Sequence, residues 1–287
     1  YSNTTYDMLM SVNLPPSVGT SSMNVNFGQL NNKGLDLSLS AQIIRNKDWF
    51  WSVTLTGGHV MDQIRKISEG LKNDIDNPYD SSKPKILFVE GGSQYDIYAM
   101  RSAGIDPATG KEIFIKKNGE YTFKYDENER VAVGNTNPIL QGSLMNTLRY
   151  KGFSISVATS YTFGSDYYNS TLKNKVENID LNYNVDRRVF TDRWKQPGDH
   201  TRFLGIGTSS SSNQYSERFV EKRNELYISS IQVMYDFAPK AITRLGLRKL
   251  AIGFGLSDIA HISTVKFERG TEYPYCRGIN LIFRPTF

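Results

Sequence analysis

Over much of this chain apolar and polar residues alternate with a period of two, the signature of a half-buried β-strand. The alternation is clearest at the end. Ile279, Leu281, Phe283, Pro285 and Phe287 fall on one face, and Gly278, Asn280, Ile282, Arg284 and Thr286 on the other. Leu250, Ile252, Phe254 and Leu256 repeat the pattern, backed by Ala251, Gly253 and Gly255. So does the segment from Glu225 to Phe237, with Tyr227, Ile231, Val233, Tyr235 and Phe237 on its apolar face.

Two hairpins stand out. In the first, Leu35, Leu37, Leu39, Ala41 and Ile43 are followed by the polar turn Asn46-Lys47-Asp48, and Trp49, Trp51, Val53 and Leu55 return. Each arm is about ten residues, enough to cross a bilayer when tilted. Two Trp beside a turn fit an aromatic belt at a membrane interface or the core of a soluble hairpin. In the second, Leu140, Leu144, Leu148 and Tyr150 precede a Lys151-Gly152 turn. Phe153, Ile155, Val157, Thr159, Tyr161 and Phe163 return, against Ser154, Ser156, Ala158, Ser160 and Thr162. An exposed soluble face usually carries Lys and Glu, so a face of Ser, Thr and Ala fits the wet lumen of a wide barrel better. Seven strands read clearly and two or three weakly, among them 3–14 and 94–103.

Between the strands lie long stretches without period. Residues 61–93 and 258–274 read as loops, and 165–222 as the longest excursion, with a short helix within 171–183 and a Ser run at 209–212. Loops of this length are uncommon in a compact soluble domain and are usually functional. Short turns alternating with long loops are what barrel hairpins show.

Composition narrows the classes. A chain of 287 residues with net charge +5 and no basic stripe gives no sign of nucleic-acid binding. The single Cys276 excludes an internal disulfide and reads as a small residue in a strand. No run of 18 apolar residues exists, so there is no transmembrane helix, which leaves a β-barrel open. Opening on Tyr1 in mid-pattern, the chain reads as a mature or excised piece.

Several motifs resemble those of the SusC/RagA-type TonB-dependent transporters of Bacteroidota outer membranes. They are Asn26-Phe-Gly-Gln-Leu-Asn-Asn-Lys-Gly34 before LDLSLSAQ, and Trp51-Ser-Val-Thr-Leu55. Gly104-Ile-Asp-Pro-Ala-Thr-Gly110 and Gly134-Asn-Thr-Asn-Pro138 follow, then Arg149-Tyr-Lys-Gly-Phe153. Arg193-Trp-Lys-Gln-Pro-Gly-Asp199 and Arg218-Phe-Val220 complete the set, ahead of Tyr235-Asp-Phe237 and a terminal Phe. They occur in family order across nearly the whole chain. Phe27 stands where a smaller residue is usual, and EKRNELYI replaces the family's longer stretch after Val220.

The resemblance implies an all-β fold, an antiparallel transmembrane barrel segment of about 8–10 strands from a 22-stranded barrel, with long extracellular loops. Residues 1–287 would be its C-terminal part, the plug and N-terminal strands lying elsewhere. It implies a multi-pass barrel in the outer membrane. It also implies partnership with the remainder of the transporter and a SusD-like surface lipoprotein, and energy from TonB through the N-terminal part. The cargo would be a glycan or peptide, with no cofactor. Ile279, Leu281, Phe283 and Phe287 would face lipid and carry the barrel-assembly signal. Tyr183, Phe190 and Trp194 are candidate loop contacts to lipoprotein or substrate, or pack the loop itself.

No nucleophile, metalloprotease or phosphate-loop motif is present. His59, His200 and His261 lie far apart in sequence, and Asp180, Asp186, Asp192 and Asp199 are loosely spaced among arginines, as in a hydrated loop. Asp106 and Thr109 lack the spaced acidic ligands of a calcium loop. The reading is an importer segment and no enzyme. The alternatives are a stand-alone structural or adhesive outer-membrane barrel binding through its loops, and a soluble β-rich binding domain.

Overall fold

The computed structural model describes residues 1–13, 19–20, 22–67, 88–179, 182, 184–207, 214–243, 246–266 and 277–287. In chain order the strands are β1 (Ser2–Asn13), β2 (Ser22–Arg45), β3 (Trp49–Ile67), β4 (Asp96–Ala99), β5 (Arg101–Ile105), β6 (Glu112–Ile115), β7 (Tyr121–Thr122) and β8 (Val131–Asn135). They continue with β9 (Leu140–Tyr150), β10 (Phe153–Tyr168), β11 (Val220–Asp236), β12 (Lys249–Ser263) and β13 (Gly278–Thr286). Short helices α1 (Ser170–Val176), α2 (Arg188–Thr191) and α3 (Pro239–Ile242) complete the chain.

Eight strands form one sheet in the order β1-β2-β3-β9-β10-β11-β12-β13, while β4-β8 and β5-β6-β7 form small sheets of their own. Sheet order follows chain order, so the large sheet is an up-and-down meander. Its outer strands, β1 and β13, each have one neighbour among the described residues. The chain divides into two compact units. A band unit comprises Gly34–His59, Pro138–Gly164 and Arg223–Phe287, and a loop unit comprises Tyr1–Lys33, Val60–Asn137 and Ser165–Lys222.

In the band unit the pairing keeps the apolar faces in step. Leu250, Ile252, Phe254 and Leu256 stand opposite Pro285, Phe283, Leu281 and Ile279. On the other side of β12, Ile252, Phe254 and Leu256 face Tyr235, Val233 and Ile231. Trp51 and Leu55 of β3 face Leu148 and Leu144 of β9, and Leu148 faces Ile155 of β10. A shift of one residue would turn every one of these side chains over. The opposite face is polar and hydrogen-bonded across strands, with Ser40 to Thr54 at 3.1 Å, Thr56 to Ser143 at 2.7 Å and Thr147 to Ser156 at 3.4 Å.

Two turns of this unit follow from local chemistry. Asn46 Oδ1 accepts from the amides of Asp48 and Trp49, at 3.1 and 2.7 Å, which closes the first hairpin. At the second, Lys151 takes φ 51° beside Gly152, the left-handed geometry a tight hairpin demands.

Several strands run further than their alternation suggests. β3 continues to Ile67, into the stretch 61–93 read as loop, and β12 continues to Ser263 within 258–274. β10 reaches Tyr168, and β11 begins at Val220 rather than Glu225, both inside the excursion 165–222. In these extensions neither face is uniformly apolar, so a period of two has nothing to mark. β12 also carries a bulge, with Asp258 at φ 56° and a register shift against Ile228/Ser230, which flips the parity of the residues beyond it. The 94–103 stretch is two strands, β4 and β5, and 3–14 is β1. Cys276, the Ser209–Ser212 run and residues 68–87 of the 61–93 stretch lie outside the described residues.

Candidate functional site

The loop unit holds most of the residues that the sequence could not order into strands. Its core is Leu172 and Val176 of α1 with Phe203 and Phe219, and Tyr168 packs against them. Asn169 caps α1, accepting from the Leu172 amide at 3.0 Å, and its side-chain amide donates to Glu221 at 3.0 Å.

Beside this core Arg218 is shared by two carboxylates, Glu112 at 2.7 Å and Glu177 at 2.9 Å, and all three side chains are almost wholly buried. Burial alone would depress the guanidinium's pKa. The hydrogen bonds and charges of Glu112 and Glu177 outweigh it, and the pKa is raised. Glu112 also accepts from the Ser216 hydroxyl, and Glu177 from the Leu204 amide at 2.9 Å. Three segments distant in sequence, β6, the end of α1 and the approach to β11, are therefore tied through one cation. Arg193, also buried, donates to the carbonyls of Leu204, Gly205 and Val176 at 2.7, 2.7 and 3.2 Å. Lys173 is buried against Tyr215 with its ammonium on the Gln214 carbonyl, and burial lowers its pKa to about 8.

Two of the motifs quoted above meet in space. The Trp194 indole lies on Gly110 and Gly205, where a Cβ would collide with its ring. Trp194 Nε1 donates to the Pro107 carbonyl at 2.9 Å, and the Gly198 amide donates to the same oxygen at 2.9 Å. Gly110 sits at φ +68°, so both its conformation and its close ring contact require glycine. Asp106 caps this turn, accepting from the Thr109 hydroxyl at 2.6 Å and the Ala108 amide at 3.1 Å, and these bonds lower its pKa. A third motif, Gly134 to Pro138, is anchored on Asp166. That carboxylate accepts from the Asn135 amide at 2.9 Å and pairs with Lys222 at 2.7 Å.

Phe190, on α2, is 58% exposed. Trp194 is instead committed to the 104–110 turn through Pro107 and Gly110, and Tyr183 lies outside the described residues. Asp186 pairs with Arg188 at 2.7 Å, Asp192 accepts from Thr191, and Asp199 from the amides of Lys195 and Gln196. Each acts locally, while Asp180 is not among the described residues. Among the described residues no group of His, Cys, Asp and Glu could hold a metal. An open cleft of about 390 Å³ adjoins the Arg218 network, lined by Lys111, Glu112, Phe114, Phe123, Leu204 and Gln214. Sequence reasoning missed Glu112, Glu177 and Arg218 as a unit, because their contact spans over a hundred residues and follows no spacing rule.

In the band unit Ile279, Leu281, Phe283 and Phe287 are 67%, 80%, 62% and 79% exposed. An antiparallel meander with an apolar, exposed face and a polar, hydroxyl-rich opposite face defines a segment of transmembrane β-barrel wall. Comparison with known proteins agrees. The chain is 24% identical over 304 residues to TonB-dependent receptor P39 of Formosa agariphila, covering 90% of this chain and 29% of that protein. It is 24% identical over 250 residues to TonB-dependent receptor SusC of Bacteroides thetaiotaomicron, covering 83% and 24%. Its fold matches the RagAB peptide transporter with a TM-score of 0.74 at 20% identity, over 92% of this chain and 29% of that one. No protein-family model matches. The chain is thus similar in sequence to TonB-dependent receptors, SusC among them, and in fold to the RagAB transporter, and it spans under a third of the length of these relatives.

Proposed function

We propose that this chain is the C-terminal part of the barrel wall, with its external loops, of a TonB-dependent outer-membrane importer. The importer takes up glycans or peptides together with a SusD-like surface lipoprotein. One observation carries the reading. The apolar face continues in register from β11 through β12 to β13, while the face behind it mixes glycine and alanine with Gln232, Asp236, Asn280 and Arg284, and with Met234 and Ile282. In water such a band would be an aggregation surface; in a bilayer it is the solvated side. Among the described residues the outer strands β1 and β13 pair on one side only, and backbone groups in hydrocarbon must all be satisfied. The remainder of the transporter supplies both partners, and its N-terminal part would contact TonB.

In this reading Ile279, Leu281, Phe283 and Phe287 face lipid and present the assembly signal, and Phe190 is the described loop residue placed to meet the lipoprotein or cargo. No catalytic role is assigned. The test is detergent extraction of the native membrane, followed by peptide mass spectrometry of what travels with the chain. A plug-and-barrel segment and a lipoprotein are expected. A chain that runs alone as a compact heat-modifiable species would instead be a small self-contained barrel.

A further inference from the structure

The band unit is electrically lopsided. Among the described residues the three short-turn ends carry exposed cations: Arg45 and Lys47, then Arg149 and Lys151, then Lys240, Arg248 and Lys249. Only two acids, Asp48 and Asp236, share that end. Toward the opposite border of the band unit, Asp36, Glu225 and Asp258 offset Arg223, Lys266 and Arg277 among the described residues. None of these seven rim cations forms an ion pair among the described residues; Arg149, on the polar face, lies over the Phe50 ring at 5.4 Å.

Directly inside this rim lies a run of aromatic rings. Trp49 stacks on Tyr150 with centroids 4.2 Å apart, Phe153 meets Tyr235 at 4.6 Å, and Tyr235 meets Phe237 at 4.9 Å. Lys151 sits over the Tyr150 ring at 5.2 Å, so its charge is held at the level of the aromatics. Rings of this kind settle at the depth of lipid headgroups, and long cationic side chains beside them reach outward to the phosphate layer. A cation held there with no protein carboxylate to answer it is matched by an anionic lipid.

We propose that the short-turn rim of this sheet is a binding surface for anionic phospholipid headgroups of the leaflet it meets, phosphatidylglycerol or cardiolipin. This rests on the membrane reading above, in which short turns face the periplasm. The aromatic rings fix the depth, and the rim cations select the headgroup.

The intact transporter, purified in detergent and reconstituted in nanodiscs of equal phosphatidylethanolamine and phosphatidylglycerol, provides the test. Lipids retained on release are counted by native mass spectrometry. The wild type is expected to retain phosphatidylglycerol in preference to phosphatidylethanolamine. In the triple variant Lys47→Gln/Lys151→Gln/Lys240→Gln that preference should fall by about fivefold for each cation removed. The double variant Lys266→Gln/Arg277→Gln, at the opposite end, should keep it. Heat-modifiable migration on gels verifies that each variant is folded; should the triple variant fail this, single Gln variants replace it. Equal retention of the two lipids by the wild type, or an unchanged preference in the folded rim variants, overturns the proposal. So does loss of lipopolysaccharide rather than phosphatidylglycerol from the rim variants. Failure of the wild type to enter any bilayer would instead overturn the membrane reading beneath it.

Discussion

Gly142 has no side chain because Tyr161 needs the space. The two are cross-strand partners, and Gly142 faces Gly57 on its other side. The Tyr161 ring crosses this glycine pair so that its hydroxyl donates to the Thr56 carbonyl at 2.7 Å. A Cβ at Gly142 would meet that hydroxyl at 2.6 Å and collide with the Thr56 carbonyl. Gly142→Ala should therefore cost about 1–3 kcal/mol, read as a lower urea midpoint for loss of heat-modifiability. Gly255→Ala, whose Cβ would find ordinary contacts from 3.8 Å, should change it little. Asn146 is a second exception on an apolar face, and its Oδ1 accepts from Trp51 Nε1 at 2.8 Å, which lowers the cost of placing an amide there.

Lys173 gives a prediction with a definite sign. Its folded pKa is lowered to about 8 by burial, against about 10.4 in an unfolded chain. Between these values the folded state holds fewer protons on Lys173 than the unfolded one, so the contribution of Lys173 to stability rises as pH climbs through that window and is flat on either side. The gain is about 2–3 kcal/mol. Near-ultraviolet circular dichroism of urea unfolding at pH 7.5 and pH 10 measures it, and Lys173→Met should abolish the rise. A rise that persists in Lys173→Met would assign the effect to another group.

At the level of elements, the strands inside the band were legible because one of their faces is uniformly apolar. Their extensions were not, and neither was the loop unit. The loop motifs at 104–110 and 193–199 look like turns when read singly, and nothing in their spacing says that Trp194 joins them. The Arg218 cluster is still less visible, since a Glu at 112 and a Glu at 177 are unremarkable among 29 acidic residues. These ties make the loop unit sensitive to single changes. Arg218→Met leaves Glu112 and Glu177 buried without their cation, and breaking a buried pair in this way costs about 3–5 kcal/mol. Limited proteolysis should then cut within residues 170–220 of the intact transporter at protease levels the wild type survives. Arg218→Met/Glu112→Gln/Glu177→Gln, which removes the stranded charges, should recover part of the resistance. Trp194→Ala should expose only the 104–110 turn.

For the molecule as a whole, the question is which side of the sheet meets lipid, and adjacent residues of β13 decide it. Leu281 lies opposite Phe254 and Asn280 opposite Gly255, on the two faces of the same strand pair. Leu281 is 80% exposed. If the apolar face lies in hydrocarbon, Leu281→Arg places a guanidinium near the depth where it costs about 2–4 kcal/mol. Asn280→Arg, one residue away, places the same charge toward a polar lumen, where hydration offsets it. The two substitutions add the same charge to the same strand, and Asn280→Arg adds the more volume, so a general loss of folding would not spare Asn280→Arg. Leu281→Arg should sharply reduce the assembled, heat-modifiable barrel in membranes, and Asn280→Arg should leave it near the wild-type level. Equal tolerance would mean that this face is not in the bilayer, and the apolar band would then have to be covered by protein. The reverse order would place Asn280 toward lipid and would contradict the register that runs through β11, β12 and β13.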